Sequence, residues 1–193
     1  MAISVTTDPI VTAAYVTDAT GLDAEDEIDH LINFASAAFL RFTNRARITS
    51  GAVTETVNRP PRDVPVIWLK AAPVDTDETF TILSLFEGET NETLSESDYS
   101  LTAASGRLYL RNHTSLGGAW GYQLQIDYTG GWTTVPNDVM GGAIELIRVM
   151  RQRSVEGQAG VRYSGFGGTN QGLETAMITE SVADAWWPYR ILP

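Results

Sequence analysis

Cysteine is absent from all 193 residues. Disulfides, thiolate nucleophiles and Cys-ligated zinc are therefore excluded together. Lysine occurs once, at Lys70, beside twelve arginines, and histidine occurs only at His30 and His113. Charged residues make up 19% of the chain, below the ~25% of an average domain, which argues against a disordered tail or a coiled coil. No apolar run approaches the ~18 residues of a membrane span. The first residues, Met1 to Asp8, carry no basic segment and no sustained apolar stretch, so they do not read as a signal peptide. The sequons at Asn91 and Asn112 then read as chance, and the chain reads as intracellular or assembled inside a cell.

Acidic residues outnumber basic ones 24 to 13, giving a formal net charge of −11. Nucleic-acid affinity rests on Lys and Arg displacing counterions, so sequence-specific DNA or RNA binding is disfavoured. Hydrophobic residues at 43% supply enough apolar mass for a core. The excess of Arg over Lys tilts towards fixed protein contacts; a codon bias explains it equally well.

The pattern of periods predicts an α+β chain: a helix bundle of two long helices and a short one, an inserted antiparallel sheet and an extended C-terminal arm. Asp8-Pro9 reads as a helix start, with a short helix over 8–15 and a turn at Asp18–Gly21. A long helix over 23–43 follows. Ile28, Leu31, Ile32, Ala35, Phe39 and Phe42 keep helical spacing there, acids crowd the start and Arg41 lies near the end. Over 52–128 the period becomes two, with short apolar runs between turn signals such as Ser105-Gly106. The expectation is a meander-like antiparallel sheet. A second amphipathic helix over 136–153 carries Val139, Ala143, Leu146, Ile147 and Met150. Its Gly141-Gly142 pair marks either a close helix approach or a kink. Residues 1–153 thus read as a core, and 154–193 as a linker and arm. Six glycines in the 18 residues from Val155 to Gly172 leave little to bury, and Leu173–Ala185 is again compatible with a helix.

Chemistry finds little support. The two histidines lack convergent carboxylates, Gly165-Phe166-Gly167-Gly168 has neither a preceding strand nor a following Lys-Ser/Thr, and no Gly-x-Ser-x-Gly elbow is present. No catalytic residue, metal site or cofactor is expected. The stretch from Glu87 to Asp98, with Glu89, Glu92 and Glu96, lacks a calcium-loop spacing. It reads as a solvated hairpin tip or as an acidic rim that repels DNA. The last segment, Trp186-Trp187-Pro188-Tyr189-Arg190, combines the residue types that dominate interface hot spots. It either docks on a partner or folds back on its own core.

The order of motifs is distinctive. Asp23-Ala24-Glu25-Asp26-Glu27 leads into a helix ending Phe39-Leu40-Arg41-Phe42-Thr43-Asn44-Arg45. Pro60-Pro61 and Trp68-Leu69-Lys70-Ala71-Ala72-Pro73-Val74 follow. Then come Tyr128-Thr129-Gly130-Gly131-Trp132, Val135-Pro136-Asn137-Asp138-Val139 and a terminal Pro188-Tyr189-Arg190. This layout resembles the head–tail connector (adaptor) family of long-tailed bacteriophages and gene transfer agents, over about residues 8–191. The resemblance implies a structural virion protein of the particle neck, assembled in the host cytoplasm. It implies a homo-oligomeric ring, typically of twelve copies, beneath the portal protein and above a stopper or tail-tube/terminator protein. DNA passes through such a ring without specific binding, and no membrane is involved. In these terms Trp186, Trp187, Pro188, Tyr189 and Arg190 would meet the portal. Ala35, Ala38, Gly141, Gly142 and Arg148 would lie between subunits, and Glu87, Glu89, Glu92, Glu96 and Asp98 would form an acidic rim or lumen. A head-completion stopper or tail terminator is the nearest alternative, against which the two long helices speak. A hydrolase using scattered carboxylates is the more distant one.

Overall fold

A computed structural model describes residues 8–21, 26–58, 65–85, 92–111, 123–158 and 178–191. Among them lie four α-helices and two antiparallel sheets: α1 (Ala13–Thr20), α2 (Asp26–Thr43), β1 (Gly51–Asn58), β2 (Val66–Trp68), β3 (Thr81–Leu85), β4 (Glu92–Thr93), β5 (Tyr99–Thr102), β6 (Arg107–Leu110), β7 (Gln123–Gly130), α3 (Asn137–Gln158) and α4 (Glu180–Trp186). The chain divides into two compact units. One joins residues 1–48 to 134–190 and the other is built from 49–133, with the last three residues assigned to it.

The first unit is helical. Its short helix starts later than Asp8-Pro9 implies. Thr12 is the cap, accepting from the Tyr15 N–H at 3.2 Å, and Gly21 closes the helix at φ +68°. Asp8 is occupied elsewhere: its carboxylate accepts from the Ile48 N–H at 2.6 Å. Helix α2 buries Ile28, Leu31, Ile32, Ala35, Ala38 and Phe39, the stripe expected from its 3.6-residue period. Ser36 on the same face donates to the Ile32 carbonyl and accepts from the Ile10 N–H at 3.0 Å, which ties the segment before α1 to α2. Helix α3 buries Val139, Ala143, Leu146 and Ile147 and packs on α1, α2 and α4. It begins where Pro136 implies and runs five residues past Arg153.

Apart from a short 3₁₀ turn over Glu96–Asp98, the regular elements among the described residues of the second unit are β-strands, as the change of period requires, but they do not form a meander. The strands form one sheet in the order β1-β7-β3-β4 and another in the order β2-β6-β5. The longest pairing, Gly51 with Gly130 through Asn58 with Gln123, joins the first and last strands of the unit. Such closure needs long-range partners that local patterning does not specify. Between the sheets Ile67, Leu69, Ile82, Leu108, Leu110, Leu124, Ile126 and Tyr128 form the core.

The Tyr128–Trp132 motif has a structural basis in this unit. The Tyr128 hydroxyl donates to Glu55, a buried carboxylate in the inward row of β1, and accepts from the Ala71 N–H at 3.0 Å. Glu55 also accepts from the Lys70 N–H at 2.7 Å. A Cβ at residue 130 would collide with the Ala71 carbonyl. Gly131, at φ +102°, directs its N–H to the carbonyls of Ala71 and Pro73. Both glycines are required by the close backbone approach and the left-handed turn.

Candidate assembly surface around the C-terminal segment

The arm expected to be extended folds back over residues 178–190 and belongs to the helical unit. Thr179 caps α4 by accepting from the Val182 N–H, and Val182 and Trp186 are its fully buried residues. Trp186 meets the Phe39 ring edge-on at 5.2 Å, and its indole N–H donates to the Val139 carbonyl at 3.1 Å. Its place is a notch left by Gly142, where a Cβ would lie 2.9 Å from the indole Cδ1 and 3.2 Å from the Ala185 Cβ. An apolar ring of this size is a large hydrophobic payload, and burying it within the chain outweighs leaving it free.

A short 3₁₀ turn over Trp187–Tyr189 follows. The Tyr189 hydroxyl donates to the Asp138 carboxylate at 2.7 Å, and its carbonyl accepts from Arg45 Nε at 2.9 Å. Burial pushes the Tyr189 phenol up to about 12. The hydrogen bond and the charge of Asp138 act in the same sense, and Arg45 opposes them. Trp187 stays 60% exposed. Its ring lies 6.3 Å from Phe42, and the Arg190 guanidinium sits 5.1 Å above it, within cation–π range. Pro188 and Arg190 are exposed beside it.

The expected portal-binding residues thus separate. Trp187, Pro188 and Arg190 face outward, Tyr189 is half-buried in its bond to Asp138, and Trp186 is core. The expected subunit-interface residues divide in the same way. Ala35, Ala38 and Gly142 are consumed by the chain's own packing, because small residues on α2 and α3 admit close approach within the subunit. Gly141 is exposed with open space around it, and exposed Arg148 donates to the Ala19 carbonyl at 2.7 Å. Of the acidic stretch, Glu87 and Glu89 lie outside the described residues. Glu92 and Glu96 are exposed, while Asp98 is turned inward and accepts from the Ser95 N–H and hydroxyl as a cap. Asp98 is therefore no rim residue, since capping the turn over Glu96–Asp98 holds its carboxylate against the backbone. The linker expected at 155–172 lies outside the description from residue 159 onward, as does His113.

Sequence reasoning missed Arg45, Phe42 and Asp138 as the residues that hold this segment. Asp138 had a signal, standing in the first turn of a helix after Pro136, but its partner lies 51 residues away. Among the described residues no group of three or more His, Asp or Glu side chains could hold a metal ion, and no helix is long and apolar enough to cross a membrane. The second unit carries a shallow cavity of about 160 Å³ lined by Ser50, Pro73, Val74, Asp75, Gly131, Trp132 and Thr133.

No protein-family model and no curated protein matches the chain. Solved structures correspond to it in fold, among them two whose match spans its whole length. A chain from the neck of an empty GTA particle, computed with C6 symmetry, is 18% identical with a TM-score of 0.56; the match covers 100% of this chain and 96% of that one. A chain from the neck of a native GTA particle, computed with C12 symmetry, is 20% identical with a TM-score of 0.52 over the same shares. The chain therefore has the fold of a protein built into the neck of these particles.

Proposed function

We propose that the protein is a head–tail connector (adaptor) of a phage-like particle, with a structural and not a catalytic role. Copies assemble in the host cytoplasm into a ring, twelve in number, that sits in the virion neck beneath the portal and bridges it to a stopper or tail-tube protein. The carrying observation is the full-length fold correspondence with chains from particle necks of sixfold and twelvefold symmetry. The motif order over residues 8–191 points the same way.

In this reading α2 and α3 contribute to a helical bundle around the DNA channel. Twelve chains of charge −11 total −132, and such a field repels a phosphate backbone, so DNA slides without being held. Glu92 and Glu96 belong to the acidic rim, with Glu87 and Glu89. Gly141 and Arg148 remain the surface candidates between subunits. Ring closure needs heterologous contacts, one face of each copy on a different face of the next. The portal meets Trp187, Pro188 and Arg190, the exposed part of the C-terminal segment, with Tyr189 and Trp186 fixing that segment from behind.

The test mixes the full chain with portal rings and compares it with the double variant Trp187→Ala, Arg190→Glu. Deleting 173–193 is the blunter version, since it also removes Trp186 from the core. The expected result is portal binding by the parent and at least about tenfold weaker binding by the variant, the range of a truncated hot spot. Unchanged binding would remove the segment from the portal contact. No binding by the parent would remove the connector role.

A further inference from the structure

The second unit carries a surface to which the connector role assigns no partner. In the sheet β2-β6-β5 the residues directly opposite each other share a face. Ile67, Leu108 and Leu101 form the inward row. The outward side then holds two cross-strand rows, Val66–Tyr109–Ser100 and Trp68–Arg107–Thr102. Tyr109 is 42% exposed, Arg107 is exposed, and Val66 and Trp68 are half-buried. Alternation would ordinarily put small polar residues on a solvated face, and β5 obeys it with Ser100 and Thr102. Strands β2 and β6 instead present Trp68, Tyr109 and Arg107 beside Val66, and Trp, Tyr and Arg are the types enriched at protein interfaces and their hot spots.

We propose that this face is a subunit contact that receives an acidic surface of a second copy of the chain; the inference rests on the ring reading and adds the residues through which the β units meet. Charge complementarity selects the occupant. Among the described residues of this unit the exposed cations are Lys70, Arg107 and Arg111, and Arg107 stands on the central strand between Trp68 and Thr102. The exposed acids of the same unit, Asp77, Glu78, Glu92 and Glu96, lie off these rows, and the whole chain bears −11. A neighbouring copy therefore offers an acidic counterface, whereas a nucleic acid is repelled by the total charge. Three strands about 4.8 Å apart and three residues deep make a footprint of roughly 10 by 10 Å. That is the size of a hot-spot cluster inside a larger interface, not of a whole interface. A head-to-tail contact of this kind, one basic aromatic face on one acidic face, is what closes a ring.

The experiment measures assembly of the full-length chain by sedimentation and light scattering for the parent, Arg107→Glu, Tyr109→Ala and the conservative controls Arg107→Lys and Tyr109→Phe. Both positions are exposed, so thermal unfolding of the dilute monomer should be unchanged and checks that each variant folds. The expected result is that Arg107→Glu and Tyr109→Ala raise the concentration needed for assembly about tenfold or more, that the conservative variants assemble like the parent, and that added salt weakens the parent more than Arg107→Glu. A parent ring that forms equally well from both disruptive variants overturns this contact and leaves the ring reading intact. A parent chain that stays monomeric into the millimolar range, both alone and in the presence of portal rings, overturns both.

Discussion

Adjacent glycines on α3 should respond to alanine with opposite sign. Gly141 is exposed and a Cβ there meets nothing within 4 Å, so Gly141→Ala gains helix propensity, about 1 kcal/mol. Gly142 gains the same intrinsic amount, but its Cβ would lie 2.9 Å from Trp186 Cδ1 and 3.2 Å from the Ala185 Cβ. Overpacking of a filled core costs about 1–3 kcal/mol. Moving the indole also pulls its N–H off the Val139 carbonyl, and an unmatched buried donor costs about 1–3 kcal/mol more. The net expectation for Gly142→Ala is a loss of roughly 1–5 kcal/mol after the propensity gain. For a chain of 193 residues each kcal/mol moves the midpoint by roughly 2–4 °C. Gly141→Ala should therefore raise the midpoint slightly and Gly142→Ala lower it by several degrees. The assay is urea and thermal unfolding followed by circular dichroism, at a concentration low enough to keep subunits apart. Equal responses at the two positions, or a Gly142→Ala protein more stable than the parent, would refute the account of Trp186 as a core residue seated in a glycine notch.

Three further outcomes follow from the same geometry. One of the seven tyrosines should titrate near pH 12 by tyrosinate absorbance, and Tyr189→Phe should abolish that step while Asp138→Asn lowers it. Because the folded phenol holds its proton above the unfolded value of about 10, the stability it contributes is fully present below pH 10 and is lost as pH rises through about 12; alkaline unfolding of Tyr189→Phe should be less steep across that window. Tyr128→Phe, which removes a donor from buried Glu55, should destabilise the β unit by about 1–3 kcal/mol, read as a lower urea midpoint with an unchanged slope. The purified chain should show no salt-sensitive affinity for duplex DNA in a fluorescence anisotropy titration, as its charge of −11 requires.

How much of this was legible in the sequence varies with the range of the contacts involved. The amphipathic stripes of α2 and α3 and the change of period at Ala52 are local signals, and the elements stand within a few residues of where those signals place them. Asp8-Pro9 has the composition of a cap, yet α1 starts later because the Asp8 carboxylate is taken by the Ile48 N–H, 40 residues away. The two-sheet order was not legible, since β1 pairs with β7 across 65 positions at Asn58–Gln123 and 79 at Gly51–Gly130, and hydrophobic alternation is compatible with either neighbour. The C-terminal segment shows the same boundary within five residues. Trp, Tyr and Arg are the residue types common in contact surfaces, yet nothing local says that Trp186 turns inward and Trp187 outward. That depends on Gly142 and Phe39, distant in sequence, which together leave room for one indole. The Tyr128–Trp132 block stood out as a motif, and its meaning, a packed tie between Glu55, Ala71 and Pro73, emerged only with the fold.

The most direct measurement of the connector reading is the mass of the purified full-length chain in solution, with and without portal rings. The expected result is a single species of about 252 kDa, twelve copies of the 21.0 kDa chain, formed alone or on the portal and seen as a twelvefold ring by electron microscopy. A mass of 21.0 kDa at every concentration, unchanged when portal rings are added, would contradict it.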